Sequence, residues 1–314
     1  MADTDLRIIC GPTAAGKSAL ALSLGEHGAT TIISADSRQI YRQFDIGTAK
    51  PTGAERRRVP HHGVDIVDPT ERYSAASWAK DATRWIAEAV EAERTPVVVG
   101  GTGFYLRALV LPLFEEPPLD ADHRARLARV FDQMRTPELR RWCERLDPAR
   151  AHLGRAQLLR AIEIALLTGH PISAWHQRAA RTANVRARWL VLNPRPQVLA
   201  RRIEERVLAM IRAGWEDEVR DLIRTVPDDA PAWNATGYEA VRQRVRGATT
   251  HEAMLSQIVV ETRRYAKRQR TWFRHQLPSE RVTWIDPTDA AAHELAERWW
   301  MKRERDGEGE AEPR

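Results

Sequence analysis

Short apolar runs mark the first third of the chain. Leu6 to Cys10 (LRIIC) ends at Gly11-Pro12, and Thr30 to Ser34 (TTIIS) and Pro96 to Val99 (PVVV) share its texture, so each reads as a buried strand. Between them lie helical stretches: Lys17 to Leu24, and Ala75 to Glu93, where Trp78, Ala82, Trp85, Ile86 and Ala89 recur on one face. Alternating strands and helices predict a parallel sheet covered on both faces, with ligands gathering at the carboxyl ends of its strands. After Leu113 the texture changes. A Pro-rich break and an aspartate cap lead into a charged amphipathic helix, and helical segments continue through Ala156 to Leu167 and on to about Ala180, with no strand. Strand texture returns at Trp189 to Leu192 (WLVL), and Val198 to Ala213 is helical, stopped by Gly214. The pattern predicts an α/β core over 1–113 and 184–300, interrupted by a helical insertion over 114–183. The charged, Gly/Pro-punctuated tail over 301–314 reads as disordered.

Composition supports a folded protein, with 43% hydrophobic and 29% charged residues in 314, enough for two modest cores. Lysine plus arginine (49) exceed aspartate plus glutamate (43), a net charge of +6. Ordinary solubility accounts for an excess of that size. Its bias toward arginine, which forks onto phosphates and stacks on bases, leans toward nucleic acid, and the eleven tryptophans lean weakly the same way. Cys10 and Cys143 are far apart and support neither a disulfide framework nor a zinc site. The chain opens straight into a strand with no signal region, and no apolar run approaches the ~18 residues of a membrane helix. A reducing, cytoplasmic compartment, no membrane and a monomer are expected.

Gly11, Pro12, Thr13, Ala14, Ala15, Gly16, Lys17 and Ser18 (GPTAAGKS) match the P-loop pattern of ATP- and nucleotide-binding proteins, between a strand and a helix. Gly11 and Gly16 let the backbone curl so that successive N–H groups face phosphate oxygens, Lys17 adds a compact charge, and Ser18 offers a hydroxyl to Mg²⁺. A di- or triphosphate is implied, not a reaction. IISADSRQIY supplies an apolar strand ending at Asp36, which fits an acid supporting Mg²⁺ and fits a general base aimed into the cleft equally well. VVVGGTGFYL supplies a second glycine-rich strand end at Gly100, Gly101 and Gly103, where a tight turn explains the glycines about as well as a ligand does.

Taken in order, GPTAAGKS, ADSRQIYRQFDIGTAKP (Ala35 to Pro51), GGTGFYL and AKRQRTWFR (Ala266 to Arg274) resemble the tRNA dimethylallyltransferases over nearly the whole chain. The second motif is far more specific than the P-loop, because ordinary kinases lack it. The resemblance implies a P-loop-kinase-like core with a helical insertion that closes on the anticodon stem-loop. It also implies transfer of a dimethylallyl group from dimethylallyl diphosphate to N6 of the adenine 3′ to the anticodon, with Mg²⁺. It makes Asp36 the general base and places Thr13, Lys17, Ser18 and Arg206 at the diphosphate and magnesium site. Ser37, Arg38 and Gln39 fall at the target nucleotide. Thr102, Arg124 and the stretch from Gln157 to Arg160 fall at tRNA contacts, although the family usually carries arginine where this chain has Gln157. ATGYEAV (Ala235 to Val241) resembles a further segment near the RNA, and no zinc finger follows the core.

The adenine amine is a poor nucleophile, so a carboxylate to take its proton and cations to steady the departing diphosphate answer the two needs of such a reaction. Removing the base from its stack costs a few kcal/mol, which the RNA grip must recover. Arg263, Lys267, Arg270 and Arg274 recur at helical intervals as one basic stripe, with Arg268 beside it and Trp272 and Phe273 as stacking or packing surfaces. Tyr41 and Tyr105 read as packing, and His61-His62 as a surface loop without metal. Three other readings compete: a nucleotide or small-molecule kinase, which leaves the stripe unexplained; a noncatalytic P-loop RNA-binding module; and a prenyltransferase acting on free adenine nucleotides, which needs no such grip.

Overall fold

A computed structural model describes residues 6–26, 28–111, 119–178, 185–277 and 279–301. The Pro-rich break and the charged tail lie largely outside these residues. Strand β1 (Leu6–Cys10) runs into the glycine turn and α1 (Lys17–Gly25), and β2 (Thr30–Ala35) follows. Next come α2 (Gly53–Arg58), β3 (His61–His62), α3 (Ala75–Glu91), β4 (Thr95–Gly100) and α4 (Gly103–Val110).

The chain divides into two compact units, Leu111–Asn184 being one and the remainder the other. The smaller unit is helical in all its described elements: α5 (Ala121–Asp132), α6 (Thr136–Leu146), α7 (Arg155–Thr168) and α8 (Ile172–Arg178). Asp120 caps α5 by accepting the His123 N–H at 2.7 Å. Leu139, Cys143, Leu158 and Ile162, all fully buried, form its centre.

The larger unit resumes with β5 (Ala187–Leu192), α9 (Pro196–Arg212), α10 (Trp215–Thr225), α11 (Tyr238–Val245), α12 (His251–Gln276), β6 (Val282–Ile285) and α13 (Ala292–Met301). Gly214 both ends α9 and, at φ +95°, turns the chain into α10. Among the described residues the sheet has six strands in the order β3-β2-β4-β1-β5-β6, every pair parallel. A parallel sheet needs helices on both faces, and every residue of β2 and β5 is accordingly buried. Alternation along the strands sends Ile8, Ile33, Val98 and Trp189 into one core with Trp78, Trp85 and Leu106, and Ile9, Ile32, Val97 and Leu190 into another with Leu22, Leu24 and Trp299.

Two strands escape a reading of the sequence. β3 has two residues, and β6 is a four-residue sheet edge with Trp284 exposed, too short for any period to show. His61 and His62 are therefore strand residues, not loop, and His62 stacks on Trp85 with ring centroids 5.8 Å apart. Tyr41 and Tyr105 are buried, Tyr105 stacked on Trp78 at 4.9 Å. Most of the tryptophans that leaned toward RNA are core residues, among them Trp78, Trp85, Trp189, Trp215, Trp233 and Trp299. Among the described residues no helix is long and apolar enough to cross a membrane.

Candidate active site

The strand order sets β2, β4, β1 and β5 side by side, so the loops leaving their carboxyl ends meet. The loop after β1 holds Gly11, Pro12, Thr13, Ala14, Ala15 and Gly16 with left-handed backbone at Gly11 (φ +144°), Ala14 (φ +61°) and Gly16 (φ +98°). A side chain at Gly11 would put its Cβ 2.3 Å from the Leu192 carbonyl oxygen, so that position admits only glycine. Lys17 folds under the loop and its Nζ donates to the Pro12 carbonyl at 2.7 Å. Burial pulls the Lys17 ammonium down to about 8; Asp36 resists the change and Arg206 adds to it. The Arg206 guanidinium is lowered by burial and supported by Asp36. Two confined cations thus share one carboxylate, and the loop's free N–H groups add partial positive charge: a site short of an anion.

Asp36 follows β2 directly. Its Oδ1 accepts the Arg38 N–H at 2.9 Å, which aims the carboxylate. The Ser37 N–H donates to the Thr102 Oγ1 at 3.1 Å, and the Thr102 N–H donates to the Ala35 carbonyl at 3.2 Å, so the loop after β4 clasps both neighbours of Asp36. Tyr265 bonds the Thr102 side chain, and burial pushes its hydroxyl up to about 12. Thr13, Asp36 and Arg206 line one narrow cavity whose other wall includes Met210, Trp215 and Ile258. Asp36 therefore faces a cavity that it shares with the P-loop residue Thr13.

Gln39 is turned inward, accepting from Ser34 Oγ at 3.0 Å and donating to the carbonyls of Thr48 (3.3 Å) and Ala49 (3.0 Å). The DIGTAKP segment is held as firmly. Lys50 Nζ donates to the Tyr41 carbonyl (2.6 Å) and to Asp45 and Asp65 (2.5 Å each), Glu218 Oε2 accepts the N–H groups of Asp45 (3.0 Å) and Ile46 (2.6 Å), and Tyr238 donates to Glu218 Oε1 at 2.6 Å. A Cβ on Gly47 would sit 2.2 Å from the Trp215 ring, so this glycine lets the indole close one side of the cavity.

The IPP transferase family model matches residues 39–276, and the isopentenyl transferase model matches residues 4–65. The chain belongs to the IPP transferase family. A tRNA dimethylallyltransferase of Halorhodospira halophila is 42% identical over 293 residues, spanning 91% of this chain and 94% of that one. Another, from Cyanothece, is 37% identical over the same length, spanning 91% and 93%. The crystal structure of a full-length tRNA isopentenylpyrophosphate transferase from Bacillus halodurans superposes with a TM-score of 0.67 at 32% identity, covering 95% of this chain and 97% of that one. The core of this IPP transferase is thus a P-loop-kinase-like α/β sheet.

On α12 the basic stripe is only partly free. Arg263 pairs with Glu204, Arg270 Nε donates to Asn193 Oδ1 at 3.0 Å, and the Arg268 guanidinium lies over the Tyr265 ring at 5.7 Å. Lys267, Arg270 and Arg274 line a groove against Pro196 and Leu199 of α9. Phe273 is buried and Trp272 packs over Gly103, so both aromatics are packing surfaces. In the helical unit Arg124 and Arg160 converge on Glu163, Arg124 Nε at 2.7 Å. Gln157 occupies the third position of α7, and its Oε1 accepts the Gly154 N–H at 3.2 Å, a helix-capping bond that an arginine there lacks the acceptor to make.

Tyr265, Trp215, Glu218 and Gln269 went unnoticed in the sequence. Each stands on a helix far along the chain from the loop it touches, and only AKRQRTWFR, which contains Gln269, carried any signal.

Among the described residues no three His, Cys, Asp or Glu side chains cluster to hold a metal ion. Mg²⁺ bound with phosphates needs few protein ligands, and the exposed Ser18 hydroxyl at the start of α1 fits that role.

Proposed function

We propose that this chain is a tRNA prenyltransferase that transfers a dimethylallyl group from dimethylallyl diphosphate to N6 of the adenine 3′ to the anticodon, releasing diphosphate. The observation that carries the reading is the juxtaposition of a P-loop having surplus positive charge with a carboxylate aimed into the same cavity. Phosphoryl transfer needs the cations but has no use for apolar walls such as Met210, Trp215 and Ile258, which suit a hydrocarbon group. Family membership and the names of the relatives support tRNA as the acceptor.

The N6 lone pair forms the new bond to the allylic carbon as the C–O bond to diphosphate breaks, and Asp36 takes the N6 proton. Lys17, Arg206 and the N–H groups of residues 16–18 at the start of α1 hold the charge that builds on the leaving oxygen. The Ser18 hydroxyl would help to hold Mg²⁺, which would supply further positive charge to the leaving group. Ser37, Arg38 and Thr102 frame the extruded base, and Gln39 keeps that frame in place. Arg124, Gln157 and Arg160 on the helical unit, with Lys267, Arg268, Arg270 and Arg274 on α12, meet the RNA.

Incubating purified protein with unmodified tRNA, dimethylallyl diphosphate and Mg²⁺, then digesting the RNA to nucleosides, tests this. N6-dimethylallyladenosine from tRNA and no product from AMP is the expected result. Product from AMP, or none from tRNA, overturns it.

A further inference from the structure

We propose that Gln269 is a positioning residue that sets the spacing between the leaving diphosphate and the proton-accepting carboxylate, an inference that rests on the prenyl-transfer reading of the site. Gln269 stands on the inward face of α12 with Ala266 and Phe273, three residues before it and four after, and is 7% exposed. A buried amide is costly unless both of its ends are bonded. The two ends reach different loops. Oε1 accepts the Thr13 N–H of the P-loop at 2.8 Å, and Nε2 donates to the Gly101 carbonyl of the loop after β4 at 2.9 Å. The partners also determine the orientation of the amide, since an N–H requires oxygen and a carbonyl requires N–H.

The glycines of GGTG are matched to this helix. A Cβ on Gly101 would lie 2.3 Å from Gln269 Nε2, and one on Gly103 would lie 2.3 Å from the Trp272 ring, so both glycines admit side chains one turn apart on α12. Beside Gly101, Thr102 clasps Ala35 and Ser37 on either side of Asp36. A continuous path of contacts therefore runs from the Thr13 N–H through Gln269 to Gly101, Thr102 and the backbone around Asp36. One end carries the leaving group, the other the base. Reaction rates fall steeply when reacting groups shift by about 1 Å, on the order of 10²-fold, and this amide is a tie across that distance.

Two substitutions test the tie. Gln269→Met keeps the length and removes both bonds. The expected result is a single-turnover transfer rate lower by about 10²-fold, tRNA affinity within about twofold of wild type, and loss of hydrogen-exchange protection at the Thr13 amide. Gln269→Glu keeps an acceptor for Thr13 but, when ionised, turns a carboxylate oxygen on the Gly101 carbonyl. Protonated, it again carries one donor and one acceptor. Its rate relative to wild type should therefore recover as pH falls, a profile that a residue needed only for folding would not produce. Wild-type transfer by Gln269→Met, or a flat relative profile for Gln269→Glu, overturns the proposal. The Glu profile decides the matter if the Met variant does not fold. Failure of the wild type to prenylate tRNA would strike the functional reading instead, while the Thr13 exchange measurement reports on the tie regardless of chemistry.

Discussion

The loop end of the sheet and the helical unit Leu111–Asn184 treat charge in opposite ways. Around the P-loop the charged groups are few and confined, and backbone N–H and carbonyl groups orient them: Lys17 on the Pro12 carbonyl, Asp36 on the Arg38 N–H. In the helical unit charges are numerous and lie near the surface in mutual pairs such as Arg124 and Arg160 on Glu163, with Glu163 only partly exposed. Confined groups feel one another strongly, whereas exposed pairs contribute at most about 1 kcal/mol and weaken with salt. The first arrangement suits a reaction that needs particular charges at particular atoms. The second suits an adaptable grip on a polyanion.

Substitution at the confined carboxylate should break this contrast most sharply. Asp36→Asn is expected to lower the single-turnover transfer rate by about 10³-fold while tRNA affinity, read by filter binding, changes little. Unchanged turnover would remove the carboxylate from the chemistry.

Glycine replacements compare the packing of the two regions. Gly47→Ala must displace the buried Trp215 ring and should cost about 3 kcal/mol of unfolding free energy. Gly169→Ala in the helical unit meets no atom within 4 Å and should cost only about 1 kcal/mol, from its left-handed backbone. Denaturant titration of each variant measures both, and equal losses would contradict the difference in packing.

The pH dependence of diphosphate binding probes the confined cations. Below pH 8 Lys17 is already protonated, so its contribution to affinity for inorganic diphosphate should be flat once the ligand's own titration is allowed for. Above about 8 binding must take up a proton, and affinity should fall by up to about tenfold per pH unit. The same shift has a consequence for the free protein. A lysine whose ordinary value is 10.5 and whose folded value is near 8 makes the folded state bind fewer protons between those limits, so this group adds stability as pH rises through that window. Calorimetric titration from pH 7 to 10 checks the first statement, and thermal melts check the second.

The smallest effect belongs to the grip. Lys267→Ala or Arg124→Ala should weaken tRNA binding severalfold at low salt and reduce the salt slope by about 1, with transfer at saturating tRNA unchanged. A loss of turnover at saturation would show that these residues do more than hold the RNA.

Local chemistry made part of this molecule readable in advance. GPTAAGKS declares a phosphate loop because its glycines, lysine and serine act within eight residues, and LRIIC, TTIIS and WLVL declare strands because burial on both faces removes polar residues from them. The left-handed backbone at Ala14 had no such signature, nor did the two-residue strand at His61 and His62. In α12 the arginines and lysine were visible as a stripe, but which of them are engaged depended on Glu204 of α9 and on Asn193, just after β5.

From its residues alone the chain determined the phosphate loop, the sheet class and the acid that follows the second strand, since each depends on neighbours a few positions away. Tertiary structure decided that Gln269 reaches Thr13 across 256 positions, that Trp215 closes over Gly47, and that Asp36 shares a cavity with Arg206. A single buried bond between distant segments leaves no periodicity behind, because its partners are brought together by the packing of whole helices against the sheet.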